Sequence, residues 1–312
     1  MWIHGLLSDA SARATSANSQ YRLVDFSKHP VGRFYSAVPE EMRGKITISE
    51  GHVFARMVKS RKVSLTIIFS HSKAEAAEMA RRMFIWLDVA DTFAPDKCAR
   101  SLAVFIILSD FKKELPVGRN HKEIRESHVN SGLTMSCAPE GDIYVYRREE
   151  WFKVFIHETI HSLGIDFSAM SDANLASINA HVKAIFPIKK PDLRIFEAYC
   201  EAWAEIIHAV FYVVETEPTA SPKAVQESIN RQMARERYWS AFQCAKIMRF
   251  YGITYAHLLS ENMAVERDAL YRESDTYTFS YYAAKMMLLC NVGEFLDWCI
   301  ASNENVVGFR ND

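Results

Sequence analysis

Residues 151–164 read WFKVFIHETIHSLG, and the reading of the whole chain turns on them. Within the stretch, His157-Glu158-Thr159-Ile160-His161 forms an H-E-x-x-H directly behind the apolar run Val154, Phe155, Ile156. On a helix, residues four apart share a face, so both imidazoles can reach one zinc ion. Glu158 follows the first histidine by one position, where its carboxylate can meet a water at the metal rather than the metal itself. That is the place for a general base in metal-assisted hydrolysis. Chance would supply the pattern roughly 0.03 times in a chain of this length and composition, so a third ligand has to decide the matter.

The candidate lies downstream, where residues 196–205 read FEAYCEAWAE. Glu197, Glu201 and Glu205 recur every four residues and form one stripe along a helix. Around them stand Ala198, Tyr199, Cys200, Ala202 and Trp203, with Ile206, Ile207, Val210 and Phe211 beyond. A stripe in so apolar a setting lies partly near the core, whereas a solvated surface stripe would have polar flanks. Carboxylates buried together need positive compensation, and a zinc ion held by two neutral histidines supplies it. The 36 positions between His161 and Glu197 let the chain leave the first helix, turn and return beside it.

The remaining composition bounds the class. The 312 residues are 49% hydrophobic and 24% charged with a formal net charge of −1, enough for one large core or two lobes. That balance gives no nucleic-acid footprint, and Arg147-Arg148 and Lys189-Lys190 read as solvated surface. No run reaches the ~18 apolar residues of a membrane span. Six cysteines, Cys98, Cys137, Cys200, Cys244, Cys290 and Cys299, form no C-x-x-C and read as reduced core residues, which fits an intracellular, cytoplasmic location. Residues 1–20 are Ser/Ala-rich without the flank of a secretory signal and read as a flexible arm.

Residues 46–49 read as extended and 52–58 as a short helix. The β-branched run 62–70 predicts a strand, 72–91 a helix with an apolar stripe, and 101–109 a strand buried on both faces. This order implies a right-handed crossover between parallel strands. Residues 111–126 read as a surface excursion, and 128–135 with 142–146 as a hairpin leading into the H-E-x-x-H helix. Beyond residue 170 the pattern is helical, over about 193–215, 221–250 and 276–300. The expected fold class is therefore α+β. A flexible arm (1–20) precedes a mixed α/β lobe (21–168) with a small sheet and the H-E-x-x-H helix, and a helical lobe (169–312) supplies the third ligand.

H-E-x-x-H followed on a later helix by E-x-x-x-D/E resembles the zincin metallopeptidases of the Glu-ligand (gluzincin) type. The resemblance implies that Glu197 is the third zinc ligand and that Glu201 hydrogen-bonds a ligand histidine. The strand–helix–strand–hairpin order is similar to the zincin N-terminal lobe, in which an edge strand pairs with extended peptide substrate. The wider phrases YRREEWFKVFIHETIHSLGIDFS (146–168) and EAYCEAWAEI (197–206) also resemble proposed zinc metallopeptidases of large DNA viruses. The His-to-Glu spacing is longer than in thermolysin-like members, and residue 201 is Glu rather than Asp. A metzincin-type third ligand is absent, since Phe167 stands in its place behind Gly164.

The resemblance implies a zinc metallopeptidase acting on a peptide or protein substrate, with viral structural proteins among the candidates; the charge balance and the absence of a long apolar run leave neither nucleic acid nor membrane as an expected partner. The alternative is a structural or virion-associated binding protein that keeps the fold without turnover. A second electrophile would come from the helical half, with Tyr281 and Tyr282 the first choice over His208, His257 and Tyr277; each of these also suits a plain core role. Asn130 and Gly132 could flank a substrate edge strand, and Asp166 could support His161.

Overall fold

The structure is a computed structural model that describes residues 2–14, 19–26, 38–43, 45–46, 50–117, 123–190, 192–273, 276–303 and 305–309. Six strands form one sheet: β1 (Gln20–Asp25), β2 (Glu50–Val58), β3 (Arg61–Ile68), β4 (Ser101–Ile107), β5 (Gly132–Thr134) and β6 (Glu140–Val145). Their order is β1-β2-β3-β4-β6-β5, with β3, β4 and β6 parallel and the other pairings antiparallel. The crossover expected between residues 62–70 and 101–109 is the β3–β4 unit, joined by the helix Lys73–Ala90. Ser72 caps that helix by accepting the Glu75 N–H at 3.1 Å, and its apolar stripe buries Met79, Met83, Phe84, Trp86 and Leu87.

The chain divides into two compact units that interleave in sequence. The sheet unit takes residues 1–112, 130–165 and 204–229, and the helical unit takes 113–129, 166–203 and 230–312. The principal helices are α1 (Trp2–Arg13), α2 (Lys73–Ala90), α3 (Trp151–Ser162), α4 (Asp172–Ile185), α5 (Ile195–Thr216), α6 (Pro222–Tyr251) and α7 (Val292–Ser302). In the sheet unit α3 packs on β5, β6 and α2. In the helical unit Phe186, Leu193, Ala198, Ile247, Met248, Leu258 and Phe279 share one core. No strand occurs beyond residue 170 among the described residues, so the α+β expectation of a mixed lobe and a helical lobe holds.

Several local expectations are corrected. Residues 52–58 are not a short helix but most of β2, which is hydrogen-bonded on both sides, to β1 and β3. The expected run at 46–49 lies outside the described residues except at Ile46. The N-terminal stretch is not a loose arm over 2–13; Ile3, Leu7 and Ala10 recur at helical spacing and bury one face of α1 against α2. Residues 276–300 are broken into a π-helical turn (Phe279–Ala284), a short helix (Lys285–Cys290) and α7, with Asn291 leaving helical geometry at φ −114°, ψ 41°. Arg147 is fully buried rather than solvated, its guanidinium donating to the Asn130 carbonyl (3.0 Å) and the Lys112 carbonyl (2.7 Å).

Cys98 and Cys137 form a disulfide, against the expectation that all six cysteines are reduced. The reason lies in strand register. Ser101 on β4 faces Glu140 on β6, and each cysteine precedes its strand's paired residue by three positions. The Ala99 N–H, donating to the Ala138 carbonyl at 2.7 Å, carries the pairing on toward the bridge. Spacing in sequence, 39 residues, hides a neighbourhood that parallel pairing creates.

Candidate metal centre

Helix α3 is built to aim two imidazoles in one direction. Phe155, Ile156 and Ile160 are fully buried and fix its rotation, while His157 and His161 are 5% and 7% exposed. The two Nε2 atoms stand 3.1 Å apart, with the rings inclined at 74°. The helix ends where the ligand pair ends. Gly164, at φ +64°, donates its N–H to the His161 carbonyl (2.9 Å), and Ile165 donates to the Ile160 carbonyl (3.0 Å). These two bonds are the Schellman pattern, which needs a left-handed residue at this position. The Cys137 N–H (3.2 Å) and the Ser136 hydroxyl (3.3 Å) donate to the same His161 carbonyl.

Glu197 lies in the first turn of α5, where the helix dipole favours a carboxylate. Phe167, in the place where another ligand pattern would need a metal-binding side chain, instead packs edge-on against Phe196 and Tyr199 on either side of Glu197. Tyr199 is tied down further: its hydroxyl donates to the Val307 carbonyl (2.6 Å) and accepts from Asn303 Nδ2 (2.8 Å). Burial raises its pKa above the ordinary tyrosine range. The same cause pushes the nearby Cys299 thiol up to about 11.

His157, His161 and Glu197 come together with their ligand atoms all within 4.8 Å of one another, and Glu197 is 8% exposed. A second group, His161, Asp166 and Cys200, meets the same limit and shares His161 with the first. Asp166 is fully buried and accepts from the Ser168 hydroxyl (2.8 Å) and the Cys200 thiol (3.7 Å). The stripe on α5 is resolved carboxylate by carboxylate. Lys285 Nζ stands 3.2 Å from Glu201, and Lys153 Nζ stands 4.0 Å from Glu205. Glu197 instead faces two imidazoles.

A Cβ added to Gly132 would stand 2.9 Å from Glu158 Oε1, so the bare backbone of edge strand β5 leaves room for that carboxylate. Asn130 gives its carbonyl to Arg147. Tyr281 and Tyr282 are half-buried on the π-helical turn, and Tyr282 packs against the helical core. His208 sits edge-on to Phe152, and burial lowers its pKa. Sequence reasoning passed over Cys200, three residues after Glu197 on the same helix face, and the lysines that neutralise Glu201 and Glu205. Lys153, four residues before His157, carried a spacing signal; Lys285, 84 residues from Glu201, carried none.

No protein-family profile, curated protein or solved structure matches this chain. Among the described residues no helix is long and apolar enough to cross a membrane. The site therefore speaks through its own residues. His157, His161 and Glu197 form a buried group that could hold a metal ion, and Glu158 stands between the two histidines in sequence.

Proposed function

We propose that the protein is a zinc-dependent peptidase in which His157, His161 and Glu197 hold the ion and Glu158 is the general base. The observation that carries this reading is the convergence of two buried imidazoles and a buried carboxylate on one point. The donor set fits zinc: bonds of about 2.0–2.1 Å at a tetrahedral angle put two nitrogens roughly 3.3 Å apart, close to the 3.1 Å between the Nε2 atoms. Zinc, when bound there, supplies Lewis acidity that lowers the pKa of a water and polarises a carbonyl.

The chain's own groups do the rest. Glu158, 7% exposed, accepts the water proton on its carboxylate and passes it to the leaving amine. Strand β5 closes the sheet, and an extended peptide added to it would run past Gly132 and so past Glu158. Asn130 would flank that strand. Asp166, anchored by Ser168 and Cys200, orients His161 through its second ring nitrogen. Glu201, the residue the gluzincin resemblance assigns to that task, is engaged with Lys285. Tyr281 and Tyr282 are the candidates for stabilising the developing oxyanion, and the π-helical turn that carries them is a rare geometry frequent at functional sites. The likeness to viral peptidases rests on residues 146–168 and 197–206 alone and names viral structural proteins as substrates to try. An intracellular location rests on the four cysteines outside the disulfide.

The test is digestion of a mixed peptide library by zinc-loaded protein, with Glu158→Gln as control. Cleavage by the wild type and not by the variant, with zinc retained in both, is the expected result. No cleavage by either, with stoichiometric zinc in both, would favour the binding protein without turnover.

A further inference from the structure

The disulfide lies against the turn that ends the metal-binding helix. Cys98 is fully buried just before β4, and Cys137 is half-buried just before β6. A Cβ built on Gly164 would stand 2.8 Å from Cys98 Sγ and 3.2 Å from both Cys137 Cβ and Cys137 Sγ. The main chain of Cys137 and the hydroxyl of Ser136 both donate to the carbonyl of His161. One short segment is thus covalently fixed at residue 137 and hydrogen-bonded to the residue that carries the second imidazole.

We propose that the Cys98–Cys137 disulfide is a redox latch on the metal site. Closed, it holds residues 136–138 against the His161 backbone and keeps that imidazole in its ligating position. Open, it frees the segment, takes the Cys137 N–H and the Ser136 hydroxyl away from the His161 carbonyl, and weakens metal binding. The effect is entropic and local. A cross-link between residues 39 apart removes chain freedom that returns when the bond is cut. Contacts that orient a ligand without touching the metal typically carry about 10–100-fold in metal affinity. The proposal rests on the metal-site reading above.

The opening step balances with a dithiol as reductant. One thiolate of the dithiol attacks the more exposed Cys137 Sγ, the S–S bond breaks, and Cys98 leaves as a thiolate that takes up a proton. The second thiol then displaces Cys137 from the mixed disulfide. The protein gains two electrons and two protons as two thiols, and the dithiol leaves as its own disulfide.

The test uses the full chain and cobalt(II) or zinc, with a water-soluble phosphine as a reductant that carries no competing thiol. Chelator competition should show zinc affinity about 10-fold weaker after reduction, recovered on reoxidation. At saturating cobalt(II) the visible d–d bands should shift between the two forms while the far-ultraviolet dichroism stays the same. A Cys98→Ser/Cys137→Ser double variant should resemble the reduced form and ignore the phosphine. Equal affinity and superimposable cobalt spectra in both redox states would overturn the latch while leaving the metal site intact. So would a double variant that still responds to phosphine, or dichroism that collapses on reduction, which would make the bridge a staple for the whole fold. Absence of metal binding in the oxidised protein would overturn the metal reading itself, and the latch with it.

Discussion

Replacing Gly164 with alanine separates two costs that the structure keeps apart. The residue has φ +64°, where an L side chain loses about 1–2 kcal/mol against the following carbonyl. Its Cβ would also meet Cys98 Sγ at 2.8 Å, and that sulfur is held by its bond to Cys137 and cannot swing aside. Forcing an extra carbon into such packing costs about 1–3 kcal/mol. The sum is about 2–5 kcal/mol, from the two terms together. Gly252 provides the internal control. It has φ +74°, but the nearest atom to its Cβ is Leu270 Cδ1 at 4.0 Å. Gly252→Ala should therefore cost only the conformational ~1–2 kcal/mol. Urea denaturation of wild type and both variants measures the difference. In a Cys98→Ala/Cys137→Ala background the steric part should relax, and Gly164→Ala should fall to the Gly252→Ala value. Equal costs for the two glycines in the disulfide-bonded protein would refute the packing argument.

Three further outcomes follow from the site and its surroundings. Glu197→Ala should reduce zinc affinity far more than Glu201→Ala, because one removes a ligand and the other a residue already paired with Lys285; chelator competition measures both, and equal losses would reassign the third ligand. Gly132→Ala should lower kcat/KM roughly 10²-fold with zinc retained, since the new Cβ displaces the general base by its clash with Glu158 Oε1; unchanged turnover would detach β5 from the site. The third concerns pH. Burial lowers the folded-state pKa of His208 below its ordinary 6.5, so the unfolded chain takes up that proton first. Its contribution to stability is complete above about pH 6.5 and is lost as pH falls through the lowered folded value. Melting temperature followed from pH 8 downward should drop less steeply in His208→Asn than in wild type, and parallel profiles would count against this assignment.

The parts of the fold that could be read from the sequence are those whose signals are local. The H-E-x-x-H helix is bounded by its own Gly164, Ser72 caps α2, and the apolar run at 101–109 declares the strand β4, although its face carrying Ser101, Ala103 and Phe105 is not fully buried as the run suggested. Residues 52–58 failed because Val53, Phe54, Met57 and Val58 satisfy a helical spacing, and only pairing with β1 and β3 makes the segment a strand. The disulfide depended on the parallel register of β4 and β6, which no cysteine spacing reveals. Arg147 looked solvated beside Arg148 until main-chain carbonyls from residues 112 and 130 surrounded it. Of the cluster His157, His161 and Glu197, the helical spacing showed the histidine pair and the apolar flanks showed a partly buried acidic stripe, while the choice of Glu197 within that stripe came from the gluzincin resemblance. What distinguishes Glu197 from Glu201 and Glu205 is which long-range partner each meets, and a one-dimensional pattern carries no such information.

The most direct measurement is X-ray absorption at the zinc edge of the zinc-loaded protein, compared with Glu197→Ala and His161→Ala. Two imidazole nitrogens and carboxylate oxygen around one zinc, with one imidazole lost in His161→Ala and the carboxylate lost in Glu197→Ala, is the predicted result. A coordination shell without two imidazoles, or one that Glu197→Ala leaves unchanged, would contradict it.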